Sequence, residues 1–159
     1  MKRNKQPGYL DGIKRPTDMG VCPACGNAVI LSTQQSLSET RVKPPWFSTY
    51  ESILLAIERG GGKDPHSDRK FIHWACNHCL RTGKAILADS RAQTFCDCYP
   101  YLAYFDEQRQ CQECGAMYIF DKHEQKHWYE TLKFWVQSRP NCCKACYQKR
   151  HPDQKSISP

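Results

Sequence analysis

The stretch Cys111-Gln-Glu-Cys114-Gly115, continued by Met117-Tyr-Ile-Phe120 and closed by Cys143-Lys-Ala-Cys146, decides how the rest of the chain is read. A Cys-x-x-Cys pair on a tight knuckle aims two thiolates at one point. Two such pairs complete the tetrahedral sulfur cage that a structural Zn2+ takes. Gly115 lets the knuckle backbone turn where a Cβ would clash. Cys111, Cys114, Cys143 and Cys146 are therefore expected to hold one zinc.

The same pattern stands earlier in the chain. Val21-Cys22-Pro-Ala-Cys25-Gly26 is a second knuckle, and Asn27-Ala-Val-Ile-Leu-Ser32 reads as a strand leaving it. Its partner pair is Cys76-Asn-His-Cys79. The flanking Lys70–Ala75 and Gly83–Ala88 are strand-like by their β-branched and aromatic content. Cys22, Cys25, Cys76 and Cys79 are read as one site in a zinc ribbon spanning 21–95. Between the pairs, Tyr50, Ile53, Leu54 and Ile57 fall on one helical face, predicting an inserted helix over 48–59. Gly60-Gly-Gly62 ends it, and a loop runs to Asp68. Gly60-Gly-Gly-Lys63 is also weighed as a phosphate loop, but it lacks the preceding strand and the Gly-Lys-Ser/Thr ending.

Composition narrows the class. A chain of 159 residues allows one domain or two small ones. Its eleven cysteines would suit a disulfide framework. The odd count, the Cys-x-x-Cys pairing of eight of them and the lack of an apolar segment after basic Met1–Pro7 argue for metal-bound thiolates in a reducing cytoplasm. No apolar run is long enough to span a membrane. The formal charge is +7, but each Zn2+ with four thiolates carries −2, so two sites leave about +3. The positive charge sits at the ends: residues 1–20, read as a flexible basic arm, carry +3, and residues 133–159 carry +5. Basic ends are compatible with phosphate contacts.

Cys96-Asp-Cys98 opens an aromatic link over 96–108 with Tyr99, Tyr101, Tyr104 and Phe105. These rings are expected to pack as a seam between halves; the alternative is stacking on bases. Cys96, Cys98 and Cys142 lie outside the pairs and read as buried apolar residues. They also leave room for a third metal, completed by a histidine. Asp121-Lys-His-Glu124 is a capping box. The helix it starts is expected to run through Trp128, Tyr129 and Leu132, extending to Phe134–Val136, until Ser138-Arg-Pro140 stops it. Cys143 and Cys146 should begin a last short helix toward Arg150, with a disordered tail over 151–159.

Cys111-x-x-Cys114-Gly115-x-x-Tyr118-x-Phe120, Glu124-Gln125, Trp128-Tyr129 and Pro140-x-x-Cys143-x-x-Cys146 together resemble the zinc-ribbon (treble-clef-type) domain of small bacterial proteins, over residues 109–150. The resemblance implies that Cys111, Cys114, Cys143 and Cys146 are zinc ligands and that Cys142 is an extra cysteine. Lys133-Phe-Trp-Val-Gln-Ser differs from the usual Gly-containing segment after the aromatic pair.

Two chemical alternatives need weighing. His123-Glu124-Gln-Lys-His127 matches His-Glu-x-x-His, which on a helix can hold a catalytic zinc with the glutamate as base. Here Glu124 is already explained as the capping residue, and His123 would sit in a frayed first turn. Cys22-Pro-Ala-Cys25 has the spacing of a dithiol redox pair, but four such pairs in one chain favour metal. The expectation is a small α+β, zinc-stabilised, non-catalytic adaptor: an N-terminal zinc ribbon with an inserted helix, and a C-terminal treble-clef-like finger. It holds two structural Zn2+. Its partner is nucleic acid, met through Lys144, Lys149 and Arg150, or a protein, met through the aromatic surface of Tyr101, Tyr104, Trp128 and Trp135.

Overall fold

The computed structural model describes residues 19–38, 73–95 and 99–152. The inserted helix over 48–59, the loop after it, Cys96, Cys98, residues 1–18 of the arm and the tail from 153 lie outside the described residues. Met19 and Gly20, placed in the arm by sequence, belong instead to the first strand.

Among the described residues, three two-stranded antiparallel sheets and short helices make up the α+β fold. Strand β1 (Met19–Val21) pairs with β2 (Ala28–Ile30), Met19 opposite Ile30. The knuckle between them is closed by Gly26 N–H donating to Cys22 O at 2.7 Å. Gly20 must lack a side chain, because a Cβ there would lie 2.5 Å from Leu31 Cδ2. After β2 the chain turns into α1 (Gln35–Ser38), which buries Leu37. Helix α2 (Asn77–Arg81) follows Cys76. Strand β3 (Ala85–Leu87) pairs with β4 (Ala103–Phe105). Then β5 (Glu107–Gln110) and β6 (Met117–Phe120) form the second knuckle hairpin. Helix α3 (Lys122–Lys126) runs into a π turn (His127–Thr131), and α4 (Lys144–Arg150) ends the described fold.

Of the aromatic link expected over 96–108, residues 99–108 contribute the centre of the core through β4 and its approach. Every residue of β4 is buried. Leu102, Ala103 and Phe105 pack with Leu31, Leu37, Trp74 and Ala85. Tyr101 and Tyr104 face the other way and pack with Phe120, Tyr129 and Val136. The seam is therefore one wall shared by two apolar clusters. Buried polar groups fasten it: Gln93 Nε2 donates to Tyr101 O and Gln93 Oε1 accepts from Tyr101 N, both at 2.8 Å. Gln125 Nε2 donates to Phe105 O at 2.6 Å and to Phe120 O at 2.8 Å. His73 Nε2 lies 3.0 Å from Glu107 Oε1. Burial opposes ionisation of Glu107, yet the His73 contact and the nearby Arg139 and Arg109 hold its carboxyl below the usual range.

Two elements differ from expectation. His73–Ala75 form no ladder, and β3 takes β4 as its partner, so the second cysteine pair sits at a helix start rather than in a hairpin. The helix begun at Asp121 does not reach Phe134. It widens into the π turn, and Lys133, at φ 60°, ends it in the left-handed region. Phe134 N–H then closes back on Trp128 O at 3.2 Å, and Val136 N–H donates to Thr94 O at 3.0 Å. The segment after Lys133 is held against the first half instead of continuing the helix.

Candidate metal centres

Both centres are assembled the same way. In each, a knuckle hairpin supplies the first two thiols, and a helix N-cap and the first turn supply the other two. Cys76 caps α2 at φ −73° and ψ 158°; Cys143 caps α4 at φ −71° and ψ 162°. Gly26 and Gly115 follow the second knuckle cysteines at φ 78° and 72°, a region open to glycine and costly for other residues. Cys76 N–H points at Cys22 Sγ (3.2 Å) and Cys143 N–H at Cys111 Sγ (3.3 Å). The element after each hairpin docks on the first residue of the ligand helix. Gln34 Oε1 accepts from Asn77 N at 2.8 Å, and Glu124 pairs with Lys144.

The geometry fits zinc. Cys22, Cys25, Cys76 and Cys79 have their sulfurs within 4.8 Å of one another, as do Cys111, Cys114, Cys143 and Cys146. Sulfur–sulfur distances of 3.8 Å separate Cys25 from Cys76 and Cys114 from Cys143. A tetrahedral Zn–S4 site with bonds of about 2.3 Å places its sulfurs about 3.8 Å apart. A disulfide would need about 2.05 Å, and the described cysteines are all free thiols.

Electrostatics point the same way. The Cys114 and Cys143 amides pull the Cys111 thiol down to about 6. At Cys76 burial opposes ionisation, but the Cys79 amide and the surrounding thiols lower the pKa. Cys22 is pushed up by burial. Cys79 is pushed up by burial and by Cys25 and Cys76, and Cys146 by Cys114 and Cys143. Each centre thus sets a thiol whose pKa is lowered, Cys76 in the first and Cys111 in the second, against thiols whose pKa is raised, Cys22 and Cys79 in the first and Cys146 in the second. Four packed thiols ionise together only when a cation balances them, and Zn2+ supplies that charge. The chain is accordingly a two-zinc protein by donor set and geometry.

The remaining sequence candidates fall elsewhere. Cys142 is buried against Cys111 and Cys146 and joins neither set of four. His123 is exposed and His127 partly so. They gather no third ligand among the described residues. Glu124 is occupied: its Oε2 accepts from Asp121 N at 3.2 Å to complete the capping box, and its Oε1 pairs with Lys144. Lys144, Lys149 and Arg150 are exposed on α4, with Arg150 paired to Glu113. Tyr101 and Tyr104 are buried and offer no partner surface, whereas Trp128 is partly exposed and Trp135 exposed.

Sequence reasoning missed a cleft of about 610 Å3 beside the C-terminal centre, lined by Ile119, Trp128, Phe134, Arg139, Tyr147 and His151 among others. Trp128 and Phe134 stack in it at 4.3 Å. The turn at Lys133 that brings Phe134 back over Trp128 was the hidden signal; a continued helix would have carried Phe134 away.

No curated protein and no solved structure matches the chain. Residues 105–155, the segment that carries the second centre and the cleft, match the model of a family described as a probable treble clef domain.

Proposed function

We propose that the chain is a non-catalytic, zinc-structured adaptor of a reducing cytoplasm that binds nucleic acid through its C-terminal unit. The observation that carries this reading is the exposure of Lys144, Lys149 and Arg150 on α4, with Lys144 and Arg150 lining the same cleft as exposed Phe134 beside one zinc centre. Lys144 and Arg150 hold ion pairs with Glu124 and Glu113. The Arg150–Glu113 pair is exposed and of a kind worth about 0–1 kcal/mol, so a phosphate can replace that carboxylate at small cost, whereas Glu124 is half-buried and fixed in the α3 cap. The all-cysteine ligand sets leave no open coordination position for a substrate water, which supports a structural role for both metals.

Fluorescence anisotropy with labelled oligonucleotides tests the reading. Affinity should fall as salt rises, and Lys149→Glu should weaken binding without changing zinc content. A specific observation favours a second reading, docking of a protein: the knuckle hairpins expose Met19, Val21 and Ile30 on one and Met117 and Ile119 on the other. Absence of oligonucleotide binding, together with salt-insensitive capture of a protein, would favour that reading.

A further inference from the structure

We infer that the cleft between the α3–π-turn segment and α4 takes an unpaired base of a single-stranded nucleic acid, with the neighbouring phosphates along the basic edge of α4. The inference rests on the nucleic-acid reading above and narrows it to one class of strand and one place.

Three observations carry it. First, the cleft's volume of about 610 Å3 falls within the roughly 300–1,000 Å3 of pockets that enclose small ligands. Second, two aromatic pairs from different elements line it. Trp128 and Phe134 stack at 4.3 Å and 25°, and Tyr147 and His151 lie 4.7 Å apart at 38°. Phe134 keeps 43 % of its surface exposed, a face available for stacking. Third, Arg139, Lys144 and Arg150 line the cleft against two carboxylates. Those carboxylates, Asp121 and Glu124, are engaged by the backbone of the α3 cap.

The charge balance selects the kind of strand. The zinc tetrathiolate behind Cys143 contributes −2, so the three cations, two carboxylates and metal centre leave the cleft at about −1. Phosphate attraction alone cannot carry the affinity there. Base–aromatic stacking contributes about 1–3 kcal/mol per base, and a duplex hides its base faces inside the stack. The N-terminal unit offers an internal comparison. There the segment after the hairpin packs tightly beside the ligand helix, with Leu37 fully buried and Ser36 Oγ donating to Ala75 O at 2.8 Å. In the C-terminal unit the segment after the hairpin and α4 leave the cleft between them.

The test uses the full zinc-loaded chain and labelled dT12, rU12 and a mixed-sequence duplex. Both single strands should bind at least tenfold more tightly than the duplex, with dT12 against rU12 reporting any role of the 2′-hydroxyl. Phe134→Ala, at an exposed position, should weaken single-strand binding about tenfold or more at unchanged zinc content and melting temperature. His151→Ala, on the opposite pair, serves as the second variant should Phe134→Ala fail to fold. Equal binding of single strand and duplex, untouched by either variant, would overturn the inference while leaving the nucleic-acid reading in place. No binding of any oligonucleotide would remove both.

Discussion

Lys133 carries the one positive φ of a non-glycine residue among the described residues, at 60°. A Cβ in the left-handed region crowds the following carbonyl, at a cost on the order of 1 kcal/mol. Its side chain recovers part of this, because Lys133 Nζ donates to Ala92 O at 2.6 Å from an exposed position. Lys133→Gly should therefore stabilise the protein by about 0.5–1 kcal/mol in chemical denaturation. A destabilised variant would show that the Ala92 contact outweighs the backbone strain. The sequence already flagged this position as departing from a Gly-containing segment, but it did not reveal the turn. The eight paired cysteines were legible because four sulfurs about one metal demand a fixed local spacing. The state of the basic residues was not, since Lys144 and Arg150 find Glu124 and Glu113 only across the fold.

At the scale of elements, local chemistry was read well and pairing was not. The capping box at Asp121 depends only on residues within one turn. It is present as expected, Asp121 Oδ1 accepting from His123 N at 2.8 Å and from Glu124 N at 2.9 Å. Asp121→Ala should cost about 1–2 kcal/mol, because it orphans the His123 and Glu124 amides, while Glu124 keeps its bond from the backbone N–H of residue 121. A thermal melt within experimental error of wild type would show that Lys144 holds Glu124 and the helix without the cap. The same variant should leave zinc content at two, since α3 supplies no ligand. The partner of β3 was illegible for the opposite reason. Gly83–Ala88 does contain a strand, but what it pairs with is set by the burial of Tyr101–Phe105, well beyond any local pattern. Likewise, the overlong helix expected through Val136 reflected apolar content that serves the contact with Thr94 rather than a helical face.

At the scale of the molecule, zinc and the shared core stabilise different things. A structural zinc contributes on the order of 10–16 kcal/mol in small fingers, comparable to or above the ~5–15 kcal/mol net stability of a whole domain. Each centre draws its four thiols from its own hairpin and helix, so metal binding is local. Core packing is not. Phe120, Tyr129 and Val136 complete their apolar surroundings with Tyr101 and Tyr104, and with Ile86, Ala88 and Phe95 from before the matched segment. A fragment of residues 105–155 retains the second centre and loses those partners, leaving Tyr129 and Val136, at 1 % and 0 % exposure in the chain, open to water. It should therefore load one zinc, yet bind a hydrophobic dye and melt over a broad range. A fragment of residues 85–152 restores β3, β4 and Phe95. It should also load one zinc and melt more sharply than the shorter fragment, although Leu102, Ala103 and Phe105, stripped of Leu31, Leu37 and Trp74, still bind some dye. Metal analysis with dye fluorescence and calorimetry on the two fragments separates the contributions. If the shorter fragment melts as sharply as the longer, zinc alone organises the C-terminal unit, and the shared wall of β4 joins two bodies that would each fold without it.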